Sequence, residues 1–376
     1  MENTYVTSIH VGKVRHLKNV TIEISDTQRK HLILTGKNGS GKTSLLEAMR
    51  DSVLYKQKRI TSEGKATAGL VTDKNPDIKV LYSQNISNFS NFIFVYIPTV
   101  RSKFDIPTAI GKINTNNKAR VDQNANKGFL KYILSLDYQL YGAKTDNNST
   151  LEANLSKWFD NFLDALRYIY ACQELRLHRD TKNLAFKIEI PGREPFALHE
   201  MSDGYTAFLN IYMELLMRLE STDAVIDYEK SAIVMIDEIE THLHVELQKR
   251  VLPFLVKMFP NVQFIVATHS PFVMTSLENA VVYDLEKNER LEKPSFYSYD
   301  TVVESFLDTS MYSDELQGYF ARYKELCLKE RTPEENDEFR RAKAELEIRT
   351  IPSTELYIAF QELERKRKAV KNGSSQ

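Results

Sequence analysis

Cysteine is almost absent from the 376 residues. Cys172 and Cys327 lie far apart and form no C-x-x-C pair, which leaves no basis for a disulfide framework or a cysteine-based zinc site. Long apolar runs are missing too: no stretch of about 18 consecutive apolar residues occurs, and MENTYVTSIH has neither the basic nor the apolar region of a signal peptide. The expectation is a cytoplasmic protein without a membrane partner. Nor is there an excess of charge of one sign. Lys plus Arg total 50 against 51 for Asp plus Glu, a formal net charge of −1, so any nucleic-acid contact has to come from a local patch rather than the overall field. What remains is ordinary globular material, 42% hydrophobic and 27% charged, enough for one large or two modest domains with an ample core.

Against that background one short run stands out. Residues 36–43 read GKNGSGKT and fit G-x-x-x-x-G-K-[ST]. In this pattern Gly36 and Gly41 permit a tight loop, and backbone N–H groups from Asn38, Gly39, Ser40 and Ser44 wrap nucleotide phosphates at a helix N-terminus. Lys42 reaches the β and γ phosphates, and Thr43 ligates Mg²⁺. The context is the required one, because HLILTG before it is a short apolar strand and SLLEAMRDSVL after it carries apolar residues at helical spacing. Two later strand ends supply the rest of an ATP-hydrolysing site. Ile233 to Ile236 form a buried parallel strand delivering Asp237, suited to hold Mg²⁺, and Glu238, suited to polarise the attacking water. Val262 to Ala267 form another, ending in Thr268, His269 and Ser270, with His269 placed to sense the γ phosphate. The competing reading of each pair is a solvated strand end or a structural histidine.

On these residues the chain resembles an ABC-type P-loop ATPase of the superfamily that holds the SMC, RecF and overcoming-lysogenisation-defect proteins. HLKNVTIEIS running into LTGKNGSGKTSLLEAM is similar to the N-terminal strands and phosphate loop of that superfamily. The resemblance implies an α/β fold: an ATPase head with an N-terminal antiparallel lobe, a mixed central sheet and, here, a C-terminal helical appendage. It also implies a signature loop, for which MSDGYTAFLNIYMELL is the best local match. Ser202 and Gly204 are the matching positions, capping the γ phosphate of ATP held by a second copy of the chain. Asp203 and Tyr205 depart from the pattern, and Ser202 also suits a plain helix cap. The run IETHLH resembles a closer subgroup of small prokaryotic anti-phage ATPases, those of the Septu system and of retrons. His242 and His244 sit where that pattern places helix-start residues, so no metal beyond Mg²⁺ is expected.

The expected organisation is an ATPase domain over 1–298 and a helical region over 299–376. Residues 5 to 24 alternate apolar and polar positions as two short strands. About 57–150 is a polar insertion, with INTNNKARVDQNANKG and GAKTDNNST read as long loops, interrupted by the strand NFIFVYIPTVR. Arg101 after that strand is either a nucleotide contact or surface chemistry. From Leu151, apolar residues at spacings of three and four predict a helix with a core-facing stripe, and Pro191-Gly192-Arg193 predicts a hairpin. Three helical stretches then follow, broken at Thr332-Pro333 and Ile351-Pro352. Leu316, Tyr319, Phe320, Tyr323 and Leu326 make a face that serves a partner, a dimer brace or a cap on the ATPase domain.

The functional expectation is an ATP-driven dimerisation switch controlling a separate nuclease- or toxin-like effector in a bacterial anti-phage system. The alternative is a RecF-like DNA-binding ATPase of recombination or repair. An intrinsic nuclease is disfavoured because the residues after the last core strand show no strand-borne acidic cluster. Gln84 is the candidate for completing the γ-phosphate site from the first lobe.

Overall fold

The computed structural model describes residues 4–61, 77–84, 86, 92–100, 121, 128–180, 183, 185–219, 230–307, 312–328, 330–349 and 355–373. The chain divides into two compact units, Met1–Tyr299 and Asp300–Gln376. The division falls within a single helical turn, α7 (Tyr299–Thr301).

The first unit opens with β1 (Val6–Val14) and β2 (Leu17–Glu23), paired antiparallel with Ile9 opposite Ile22 and Val11 opposite Val20. Those four side chains are buried, which is what period-two alternation over one covered face requires. On the other side of β1 lies β4 (Asp77–Tyr82), giving the order β2-β1-β4. The third strand was hidden in the polar insertion, because only Val80 of its six residues is fully buried.

The second sheet has the order β12-β11-β3-β10-β9-β5. Its parallel members are β3 (His31–Thr35), β5 (Ile93–Ile97), β9 (Ala232–Ile236), β10 (Val262–Ala267) and β11 (Ala280–Asp284), and β12 (Glu289–Glu292) closes one edge as an antiparallel hairpin partner of β11. Every residue of β3, β9, β10 and β11 is buried. Strands covered on both faces read as continuous apolar runs, and that is how they stand in the sequence. Gln263 is the exception inside β10. Its amide oxygen accepts the Val6 N–H at 2.7 Å, and its nitrogen donates to the Val6 and Lys30 carbonyls at 3.0 and 2.8 Å. One buried side chain therefore stitches the antiparallel lobe to the central sheet.

Helix α1 (Lys42–Thr61) follows the phosphate loop. Helices α2 (Phe129–Thr145) and α3 (Ser149–Tyr170) form a pair whose shared face carries Phe129, Tyr132, Trp158 and Phe162, with ring centroids 5.5–5.8 Å apart. Here the structure corrects the expectation from sequence. GAKTDNNST is not a long loop but the end of α2, a tight turn with Asn147 at φ +55°, and the start of α3, whose N-cap Asn148 accepts the Leu151 N–H at 3.1 Å. Asn tolerates the left-handed region and caps helices, so asparagines that read as loop are turn and cap. The run INTNNKARVDQNANKG, apart from Val121 and Gly128, and Arg101 lie outside the described residues.

The predicted hairpin is β7 (Ala185–Glu189) with β8 (Phe196–Ala197), turned at Gly192 with φ +76°, and β6 (Arg176–Asp180) adds a third strand. Helix α4 (Asp203–Leu219) is buried from Thr206 onward. It carries a buried ion pair, Arg218 Nε to Glu214 Oε1 at 2.6 Å. Helices α5 (Val245–Met258) and the one-turn α6 (Pro271–Met274) complete the layer.

In the second unit, α8 (Asp314–Cys327), α9 (Pro333–Arg349) and α10 (Glu355–Gly373) bury Tyr323, Leu326, Cys327, Phe339, Ala342, Leu346 and Phe360 against one another. Leu316, Tyr319 and Phe320 pack partly on that cluster. The apolar face of α8 is therefore covered at least in part inside its own unit. Buried Glu364 accepts hydrogen bonds from Tyr323 and from Arg367 and pairs with Lys343. Burial works to raise its pKa, yet these partners outweigh it and hold the carboxyl at about 2.

Candidate nucleotide site at the strand ends of the central sheet

Because β3, β5, β9 and β10 are parallel, their carboxyl ends meet at one edge of the sheet, where ligand sites of open α/β sheets gather. From β3 the chain enters the loop of residues 36–41, with Gly36, Gly39 and Gly41 at φ +128°, +87° and +104°. A side chain at Gly36 would stand 2.8 Å from Ser40 Oγ, and one at Gly41 2.9 Å from Leu17, whereas the space beside Gly39 is open. Positive φ and close approach together demand glycine at the first and last of these positions. Ser40 Oγ is buried without a hydrogen-bond partner among the described residues. A polar atom left bare in a cradle of backbone amides suits an incoming phosphate oxygen.

Lys42 and Thr43 open α1, with Ser44 buried behind them. Lys42 Nζ donates to the carbonyls of Gly36 and Lys37 at 2.7 and 3.1 Å, holding the loop closed on itself. Burial lowers the Lys42 pKa, while the carboxylates of Glu238, Asp237, Glu240 and Asp284 act in the opposite direction. Asn38 is exposed at the loop tip.

Asp237 leaves β9 almost fully buried. Its Oδ1 accepts the Thr43 hydroxyl at 3.2 Å and its Oδ2 the Thr99 hydroxyl at 3.1 Å. Burial raises its pKa, and the two hydroxyls and Glu238 modify that shift, the hydroxyls lowering it. A carboxylate and a hydroxyl in contact at the mouth of a phosphate loop form the oxygen donor set that Mg²⁺ takes alongside phosphates and water. The residues present therefore fit the ion. Thr99 is a member that the sequence did not reveal, since Arg101 was the residue after β5 that drew a functional reading. The usable signal was register: Ile97 pairs with Ile236 and the Asp237 N–H donates to the Ile97 carbonyl at 2.9 Å, so the residues after β5 flank Asp237.

Glu238 adopts φ +43° and accepts the Thr241 hydroxyl at 3.3 Å. A glutamate in the left-handed region is uncommon and marks a constrained functional turn in many sites. His269 is half-buried after β10. Burial, followed by the nearby charge of Lys42, lowers its pKa, against the pull of Glu240, Glu238 and Asp237. These mutual influences place Lys42, Asp237, Glu238 and His269 in one electrostatic neighbourhood.

Ser202 and Gly204 stand apart from that group. Ser202 is exposed at the start of α4, and its carbonyl accepts the Thr206 N–H at 2.9 Å. Gly204 lies against the turn after Glu238: an added Cβ would be 2.8 Å from the His242 carbonyl oxygen. Tyr205 stacks on Tyr170 with centroids 4.0 Å apart, which explains the departure at that position as an anchor for the helix start. His242 has φ +68° and His244 is the N-cap residue of α5. Gln84 follows β4 and is exposed.

Residues 109–275 match the family described as AAA domain, putative AbiEii toxin, Type IV TA system, a span that holds the strand ends bearing Asp237, Glu238 and His269 but begins after the phosphate loop. The chain is 30% identical over 182 residues to the Retron Ec83 probable ATPase of Escherichia coli, covering 47% of this chain and 33% of that protein. It is 24% identical over 311 residues to Septu protein PtuA of Bacillus mycoides (strain KBAB4), covering 77% and 41%, and 23% identical over 271 residues to the Retron Vc95 probable ATPase of Vibrio cholerae, covering 68% and 51%. The chain thus spans from a third to about half the length of these relatives. Among solved structures it overlaps an SMC head bound to the C-winged helix domain of ScpA, with 16% identity, TM-score 0.40, and coverage of 74% of this chain and 93% of that one. Fold and site define an α/β protein with a phosphate loop at the strand ends of its central sheet. Within that class the chain is related to the retron- and Septu-named proteins.

Proposed function

We propose that the chain binds ATP with Mg²⁺ and hydrolyses its terminal phosphoanhydride as a switch in anti-phage defence. The observation that carries this is the meeting of Thr43 and Asp237 at 3.2 Å beside Lys42, at a strand-end edge that also bears Glu238 and His269. Lys42 exchanges its two loop carbonyls for β- and γ-phosphate oxygens. Backbone amides from Gly36 to Ser44, Asn38 to Gly41 among them, surround the phosphates. Bound Mg²⁺, held by Thr43 and Asp237, would neutralise charge on the β and γ phosphates. Glu238 orients and polarises the attacking water, and His269 donates to the γ phosphate.

Exposed Ser202 at the α4 N-terminus supplies the remaining donor to ATP held by a second copy, so hydrolysis is completed only in a head-to-tail dimer. The retron and Septu names of the relatives support a defence role; a cytoplasmic location and a separate effector protein belong to the same proposal. Among the described residues no helix is long and apolar enough to cross a membrane.

The test is the solution mass of a Glu238→Gln variant with and without Mg-ATP, since slowed hydrolysis traps an ATP-closed state. A shift from monomer to dimer on adding ATP is the expected result. A monomer under both conditions, with nucleotide shown to be bound, overturns the role of Ser202. A constitutive dimer overturns the switch and leaves an ATPase acting inside a preformed assembly.

A further inference from the structure

Glu240 has no place in the roles assigned above, yet it makes some of the shortest side-chain hydrogen bonds in the site. One carboxylate oxygen, Oε1, accepts the backbone N–H of His269 at 2.6 Å, and the other, Oε2, accepts the Thr268 hydroxyl at 2.7 Å. A carboxylate that takes two donors from consecutive residues fixes the main chain there more firmly than neutral hydrogen bonds would. The chain does not leave Glu240 itself free to wander. The Leu243 N–H donates to its carbonyl at 2.8 Å, closing the turn.

A second path braces the same two segments. Thr268 Oγ1 also accepts the Ser270 N–H at 3.0 Å, Ser270 Oγ donates to Gln248 Oε1 at 2.7 Å, and Gln248 Nε2 donates to the Leu243 carbonyl at 2.7 Å. The turn that leaves Glu238 and the loop that bears His269 are thus closed into one ring of hydrogen bonds. Only the Glu240 arm of that ring grips His269 directly.

We infer that Glu240 is the positioning residue of this site: its carboxylate holds the His269 main chain so that the imidazole is aimed at the γ phosphate before ATP arrives. The inference rests on the ATPase reading above. It differs from a purely structural role in a definite way, because Glu240 then acts on turnover chiefly through His269, to which its carboxylate is hydrogen-bonded. Preorganised donors act on the transition state, so the loss falls on kcat and spares ground-state binding.

The experiment measures steady-state ATPase rates, equilibrium binding of a fluorescent ATP analogue and melting temperature on the full chain. Glu240→Ala is expected to lower kcat about 10- to 100-fold, with KM and analogue affinity within about threefold of the parent. Glu240→Gln recovers most of the rate, because its amide oxygen still accepts the His269 N–H and its NH₂ can donate to Thr268 Oγ1. In a His269→Ala background Glu240→Ala costs less than about twofold, the non-additivity expected of residues acting as a unit. Should Glu240→Ala fail to fold, Thr268→Val removes one of the two grips at nearly constant volume, together with the acceptor of the Ser270 N–H, and a several-fold kcat loss that vanishes in His269→Ala supports the inference. A full, additive loss in the His269→Ala background, a matching loss of analogue affinity, or a Glu240→Ala rate within about twofold of the parent each overturns the inference alone. Absence of turnover in the unaltered chain overturns the ATPase reading and the inference with it.

Discussion

Two carboxylates, Asp237 in the first unit and Glu364 in the second, are both buried and both hydrogen-bonded, yet their environments push them in opposite directions. Asp237 faces two neutral hydroxyls and burial raises its pKa; Glu364 has Arg367, Lys343 and a tyrosine hydroxyl and is driven down to about 2. A Mg²⁺ ion would set a cation directly against Asp237, as Arg367 and Lys343 already stand against Glu364. On the proposed reading the difference separates a carboxylate that receives a ligand from one that braces three helices. Lys42 belongs with Asp237: its present partners are the backbone carbonyls of Gly36 and Lys37, which a bound phosphate would replace.

The comparison breaks most visibly at Lys42. Lys42→Ala is expected to reduce kcat/KM for ATP by about 100- to 1000-fold, as removal of a transition-state donor does, while the melting temperature stays within a few degrees. Steady-state kinetics and calorimetry on one preparation check both halves. The converse belongs to Glu364. Glu364→Ala leaves Arg367, Lys343 and the Tyr323 hydroxyl without their acceptor and is expected to destabilise the helical unit by about 2–4 kcal/mol, read as faster hydrogen exchange in α8–α10.

Acid sharpens the contrast. Because the folded pKa of Glu364 is depressed, its contribution is fully present above the unfolded glutamate value, about 4.3, and is lost as pH falls toward about 2. The stability gap between the parent and Glu364→Gln should therefore shrink between about pH 5 and pH 2.5. A gap that stays constant would mean the ion pairs contribute nothing. The smallest effect is expected at Gln263, whose role is neither catalytic nor ionic. Gln263→Leu strips the Val6 N–H and carbonyl of their buried partners, at a cost of about 1–3 kcal/mol, with ATP turnover unchanged at temperatures where the protein remains folded.

Much of the site was legible because its parts are local. The phosphate loop needs glycines at fixed offsets and a lysine at the helix start, all within the run 36–43. Buried parallel strands announce themselves as unbroken apolar runs, so β3, β9 and β10 and the polar residues ending them were each visible. The corrections fall where composition misleads. GAKTDNNST is polar because it caps and turns two helices, and β4 looked like loop because it sits at a sheet edge with one buried residue.

The sequence by itself determined which chemistry is present: a phosphate cradle, a lysine, a hydroxyl and two strand-end carboxylates, since those requirements are written in short windows. Only the tertiary structure decided which neighbours complete them. Thr99 reaches Asp237 from 138 positions away and Gln263 reaches Val6 from 257, while Glu240 finds His269 across 29 residues that include a whole helix. Such pairings depend on strand order and register, which arise from packing the sheet between its layers. A threonine, a glutamine and a glutamate carry no local mark of the partner they will meet.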